Sequence, residues 1–198
     1  MTIDARALAL TTERLALRPF READFPAYAG YHALPEVYRY LYMPAPAGEA
    51  LRLQFDTALG APFAHDGDTL RLAVTLVDRG TLLGEVLLKH ANRAARQAEF
   101  GYIFDPRHGG RGYATEAVAA LITAAFDAFG MHRLFARLDP LNAGSVGVVE
   151  RLGLRREAHL IENDRNGDAW GDEYIYAVLA REWRARGGSL RVQPLPDA

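Results

Sequence analysis

The sequence has no cysteine among its 198 residues. That absence excludes a disulfide framework, a thiolate metal site and a cysteine nucleophile, so any sulfur chemistry has to arrive with a ligand. No apolar run approaches the ~20 residues needed to cross a bilayer, and the opening "MTIDARALALTTERL" lacks the apolar core of a secretory signal. The chain therefore reads as soluble and cytoplasmic. Neither sign of charge dominates: 23 Lys and Arg stand against 25 Asp and Glu, which supplies no overall pull toward nucleic acid or anionic lipid. The histidines at 32, 65, 90, 108, 132 and 159 show no i,i+4 or His-x-Glu spacing, so no metal is expected. What is present is ordinary globular usage, with 49% hydrophobic and 24% charged residues. A chain of this size buries about 70% of the surface it exposes when unfolded, which is enough for one domain with a real core.

Periodicity places the elements. "ERLALRPF" alternates as a first strand stopped by proline, and "READFPAYAGYHALPEVYRYLY", cut by Pro26, Gly30 and Pro35, makes two short helices. "GEALRLQFDTALG" puts Leu51, Phe55, Ala58 and Leu59 on one helical face. "LRLAVTLV", "TLLGEVLLKH" and "AEFGYIF" are strand-like runs joined by short polar segments, an antiparallel meander. "YATEAVAALITAAFDAFG" is a helix with one apolar stripe and Gly130 as its stop. "HRLFARLDP" returns to strand alternation, "NAGSVGVVERLG" is a short helix with Asn142 as N-cap, and "DEYIYAVLA" is a final strand. One domain over residues 1–183 with a poorly ordered tail at 184–198 is the expected organisation.

The most informative stretch is "RHGGRGYATEA", from Arg107. It lies between a strand and the long helix, where backbone N–H groups have no intrahelical acceptor. A helix N-terminus carries about half a positive charge, and glycines let an anion reach the backbone unobstructed, which suits a phosphate. A Walker loop would need a lysine between Gly109 and Thr115, and a Rossmann fingerprint a glycine where Thr115 stands, so neither applies.

What remains is R-x-x-G-x-G, through Arg107, Gly110 and Gly112, which resembles the pyrophosphate loop of the GNAT N-acetyltransferase superfamily. "LTTERLALRPFREAD" is similar to the opening of its RimJ/RimL-like branch. "AEFGYIF" resembles the strand before the loop, and "DPLNAGSVGVVERLGLRREA" resembles the following segment through Asn142, Ser145, Arg151 and Gly153. The resemblance covers roughly residues 10–183. It implies an α/β (α+β) fold with a mixed, mostly antiparallel twisted sheet of about seven strands, splayed centrally and flanked by helices. It implies acetyl-CoA as co-substrate, held by Ile103, Phe104, Arg107, Gly109, Gly110, Arg111, Gly112, Tyr113, Ala114, Asn142, Ser145 and Arg151. The activity implied is transfer of the acetyl group to a primary amine, by direct attack through a tetrahedral intermediate.

That chemistry needs a neutral amine and a proton for the departing thiolate. At pH 7 an α-amine is about one-tenth neutral, whereas a lysine amine is neutral to about one part in a few thousand and depends more on a base. By the resemblance, Ser145 serves the thiolate and Glu99 is the first candidate base; Asp68, at the mouth of "DTLRLAV", and Glu85, in "GEVLL", are further carboxylates that could act through a water. The tyrosine that many family members place seven residues after the asparagine is Val149 here, and Leu154 replaces the usual phenylalanine. The alternative reading is a non-catalytic acyl-CoA-binding or regulatory module, which Val149 favours and Ser145 opposes. The acceptor, a protein N-terminus or a small amine, would be flanked by "YHALPEVYRYLYM" and "IENDRNGDAWGDEY". Tyr38, Tyr42 and Trp170 are open to lining its pocket, and Asp164, Asp168, Asp172 and Glu173 to attracting a cation. Nucleic acid is not an expected partner, and the apolar positions of the first helices serve either a homodimer or the core.

Overall fold

A computed structural model describes residues 8–41, 43–60, 62–166 and 168–187, and the backbone of 193–194. In chain order the strands are β1 (Leu10–Thr11), β2 (Leu15–Arg18), β3 (Thr69–Leu76), β4 (Leu82–Asn92), β5 (Gln97–Phe104), β6 (Arg133–Leu138), β7 (Arg155–Asn166), β8 (Ala169–Leu179) and β9 (Gln193–Pro194). The helices are α1 (Phe25–His32), α2 (Pro35–Tyr38), α3 (Gly48–Gly60), α4 (Tyr113–Asp127), α5 (Ala143–Arg151) and α6 (Ala180–Ala185). One sheet takes all the strands in the order β7-β8-β6-β5-β4-β3-β2-β1-β9. Seven strands of four residues or more form its body, and β1 and β9, two residues each, extend one edge. The fold is the mixed, mostly antiparallel sheet flanked by helices that the sequence suggests.

Helices cover both faces. On one side Phe20, Tyr28, Tyr31, Phe55 and Leu51 close a core against Ala73 and Leu82 of β3 and β4. On the other, α4 is buried from Ala117 through Phe126, where the sequence suggested a single apolar stripe. The alanines explain the difference, because side chains this short let the sheet and α5 approach from several directions at once. Trp183 of α6 joins this core and donates its indole N–H to Thr123 Oγ1 at 3.1 Å.

β5 and β6 run parallel and pair only at Gln97↔Arg133, Ala98↔Leu134 and Glu99↔Phe135. Beyond Glu99, β5 continues to Phe104 and β6 to Leu138 without pairing to each other, so the sheet splits. This is the expected central splay.

β7 has no counterpart in the periodicity. It is an edge strand whose residues are mostly exposed, so "RREAHLIENDRN" carries no alternation to read. The segment after Trp183 continues α6 to Ala185, and Gln193–Pro194 pairs antiparallel with β1.

Candidate active site

The segment after β5 is shaped by one carboxylate. Asp105 is buried and caps the 3-10 turn Pro106–His108, accepting the Arg107 backbone N–H at 2.9 Å. The Arg107 guanidinium clasps the same carboxylate, with Nε at 2.8 Å from Oδ1 and Nη2 at 2.6 Å from Oδ2. Burial pushes the Asp105 pKa up, and these bonds from Arg107 more than offset it, holding the carboxyl below its ordinary value. Arg107 is consequently turned toward Asp105 and braces the loop from outside.

After this brace the chain enters Gly109 to Gly112. Gly110 and Gly112 have φ of +73° and +77°, left-handed values that a side chain disfavours. A Cβ at Gly110 would meet nothing within 4 Å, so the backbone there is open to a ligand. The Gly109 N–H goes to the Pro106 carbonyl, whereas no backbone acceptor among the described residues takes the N–H groups of Gly110, Arg111 or Gly112. They sit where α4 begins, at the positive end of its dipole.

The loop opens on a cavity of about 890 Å³ that runs into the split between β5 and β6. Its walls include Glu99, Ile103, Phe104, Gly109, Gly110, Arg111, Gly112, Tyr113, Ala114, Asn142, Ser145 and Arg151. Of the residues expected to hold the co-substrate, Arg107 alone is absent from this wall. Asn142 Oδ1 accepts the Ser145 N–H at 3.1 Å, the N-cap of α5. Arg151, at the end of α5, donates from Nε to Thr115 Oγ1 of α4 at 3.4 Å. Val149 is fully buried in the core.

The three carboxylates proposed as bases separate clearly. Glu99 stands at the point where the strands part and lines the cavity. Asp68 accepts the N–H groups of Ala64 and His65, both at 2.8 Å, and fixes a turn. Glu85 is fully buried on β4, 3.1 Å from Arg71 Nη1 and 3.6 Å from His32 Nε2. Neither Asp68 nor Glu85 lines the cavity.

Tyr38 is buried, with its hydroxyl 2.5 Å from His32 Nδ1, and Tyr42 lies outside the described residues. Trp170 is exposed and meets the Arg165 guanidinium 5.2 Å from its ring centre. Among the acidic residues of the β7–β8 hairpin, Asp168 pairs with Arg165 and Asp172 with His159, while Asp164 accepts the Arg165 N–H. Glu173 pairs with Arg137 Nη2 at 2.6 Å.

Arg137, Tyr102, Tyr40 and Glu36 line the cavity without having been singled out from the sequence. Arg137 and Tyr102 each occupy an alternating strand position, a signal too common to mark a site. Tyr102 donates its hydroxyl to the Ser145 carbonyl at 2.9 Å, and burial pushes its pKa up to about 12.

A loop whose N–H groups meet no backbone acceptor among the described residues, and a cleft between parted strands walled by Glu99 and Ser145, suit a long phosphorylated ligand. Comparison with known proteins points the same way. Residues 14–155 match the family described as acetyltransferase (GNAT) domain. The chain is 30% identical over 175 residues to the uncharacterized N-acetyltransferase YnaD of Bacillus subtilis, covering 88% of this chain and 98% of that one. A crystal structure of a GNAT-family acetyltransferase from Bacillus anthracis superposes with a TM-score of 0.80 at 28% identity, over 88% of this chain and all of that one. The spermidine N-acetyltransferase of Vibrio cholerae, solved in complex with CoA and spermine, shares the fold with a TM-score of 0.74 at 22% identity, over 86% of this chain and 98% of that one.

Proposed function

The chain belongs to the acetyltransferase (GNAT) domain family, and from that premise we propose that it holds acetyl-CoA on the loop from Gly109 to Gly112 and acetylates a primary amine brought to Glu99. It is an N-acetyltransferase, and the questions left to the site are which residues bind, orient and move protons.

The observation that carries the assignment is the set of N–H groups at Gly110, Arg111 and Gly112, beside the α4 N-terminus, that no backbone acceptor among the described residues takes. They take the pyrophosphate oxygens, with Arg111 and Arg151 adding charge. Where β5 and β6 part, the free backbone near Ile103 pairs with the amides of the pantetheine arm and Asn142 flanks the arm from α5. Acetyl-CoA supplies a thioester carbonyl for the amine to attack. Glu99 takes the proton the amine must lose, and the Ser145 hydroxyl hydrogen-bonds the sulfur as it leaves.

The acceptor class is a primary amine, either a small molecule or a protein N-terminus, and the opening and loop segments favour a RimJ/RimL-like enzyme. One transferase domain over residues 1–183 fits a site carried by a single sheet. No described helix is long and apolar enough to cross a membrane; with the absence of cysteine, this fits a cytoplasmic enzyme.

Calorimetric titration with acetyl-CoA and with pantetheine tests the loop. Micromolar binding of acetyl-CoA with far weaker binding of pantetheine is expected, followed by thiol release in an amine screen. Equal affinities for the two would remove the loop from the site.

A further inference from the structure

We propose that Arg14 is a positioning residue for cofactor binding: it aims the Gly112 N–H into the cavity, and Glu116 and Thr12 hold it in place. The proposal rests on the assignment of the glycine loop to the pyrophosphate.

Arg14 lies in the turn between β1 and β2, 97 residues from the loop it touches. Its Nη1 donates to the Arg111 carbonyl at 3.0 Å, and its Nε donates to Glu116 Oε2 at 2.7 Å. The guanidinium carbon sits 4.8 Å from the centre of the Tyr113 ring. Glu116, in the first turn of α4, also accepts the Arg14 backbone N–H at 3.1 Å and the Thr12 hydroxyl at 2.6 Å. The Glu116 side chain is only 11% exposed, so this carboxylate is a fixed anchor.

The consequence follows from the geometry of the peptide bond. No described peptide is cis, so the bond joining Arg111 to Gly112 is planar and trans, and its carbonyl and N–H point in opposite directions. Arg14 draws the carbonyl oxygen toward the β1–β2 turn. The Gly112 N–H is thereby turned the opposite way, toward the cavity that Gly112 lines. A peptide flanked by glycine rotates at little cost, so without this tie the same peptide is free to present its carbonyl oxygen to an anion. Because Glu116 already takes the Arg14 charge, orientation is what Arg14 supplies. Lysine does not replace it, since a single ammonium lacks the planar fork that divides between a carboxylate and a carbonyl.

The experiment uses the full chain, labelled with 15N at glycine, and CoA as the probe. In the unmodified protein CoA is expected to move the Gly110 and Gly112 amide protons downfield. In Arg14→Met the Gly110 shift persists, the Gly112 shift falls below roughly half, and the calorimetric Kd for CoA weakens about tenfold. Arg14→Lys, which keeps a charge beside Glu116 and loses the fork, shows the same selective loss at Gly112. Melting curves accompany both variants, and the lysine variant carries the test if the methionine variant does not fold. A full Gly112 shift in a folded variant overturns the proposal and leaves the loop assignment standing, and so does an equal loss at both glycines. No shift at either glycine in the unmodified protein overturns the loop assignment and this proposal with it.

Discussion

Ser145 and Glu99 reach the cavity from different elements, one on the first turn of α5 and the other on β5 where it leaves β6, so their roles separate by substitution. Ser145→Ala is expected to lower turnover about tenfold while acetyl-CoA affinity changes by less than about twofold, because a hydroxyl that serves the leaving sulfur acts mainly in the transition state. Calorimetry beside steady-state rates checks this, and near-normal turnover removes Ser145 from the mechanism. Glu99→Gln is expected to abolish the rise of kcat/KM with pH that a carboxylate base produces; an unchanged pH profile rejects Glu99. Asp24 offers a pH test of stability away from the site. Burial raises its pKa, and the Arg18 guanidinium at 2.7 and 2.8 Å, with the Arg21 N–H, more than offsets this and holds the carboxyl below its ordinary value. A carboxyl with a depressed folded pKa adds stability above its unfolded pKa and loses it as pH falls through the folded one. Asp24→Asn should therefore melt earlier than the parent near pH 7, with the gap closing as pH drops below about 4. A gap that stays constant across that range would assign the loss to geometry alone.

At the scale of elements, the cleft depends on how closely β4 lies against β5 and on how α5 is tied to β5. Gly84 of β4 has φ of +155°, and a Cβ there would stand 2.3 Å from the Ile103 carbonyl oxygen and 2.7 Å from Phe104 Cα. Backbone atoms cannot yield as a side chain can. Gly84→Ala should cost about 1–3 kcal/mol and shift the segment expected to pair with pantetheine, so that lower melting temperature and weaker acetyl-CoA binding appear together. Across the split, the Tyr102 hydroxyl holds the carbonyl of Ser145. Tyr102→Phe leaves a part-buried carbonyl short of a partner, and an expected loss of about 1 kcal/mol comes with a fall in kcat larger than any change in KM for acetyl-CoA. A fall in stability with unchanged kcat would make the bond purely structural. Helices α1 to α5 and the meander were legible because proline, glycine and apolar spacing act within a few residues, whereas α6 at Ala180–Ala185 was not. β7 was not either, since most residues of this edge strand are exposed and its few apolar residues, Ala158, Leu160 and Ile161, make no sustained alternation.

For the whole molecule, a ligand that bridges α4, β5 and α5 should resist global unfolding. At about one hundred times its Kd, CoA adds about 2.7 kcal/mol, which for a chain of this size raises the melting temperature by about 5–10 °C. Pantetheine at the same concentration should give much less, and equal shifts would place the binding energy outside the loop. Some of this architecture is local in origin. The left-handed glycines at 110 and 112, the Asn142 cap and the strand and helix periods follow from backbone sterics and short-range hydrogen bonds, which residue order alone dictates. The features that make a site are not local. Glu99, and neither Asp68 nor Glu85, faces the cavity because strand register and the parting of β5 from β6 set which side of the sheet is open. Arg107, the first residue of the motif, turns back to Asp105, while Arg14 reaches the loop from the far end of the chain. Those placements depend on how α4 seats against the sheet, and no pattern within "RHGGRGYATEA" contains them.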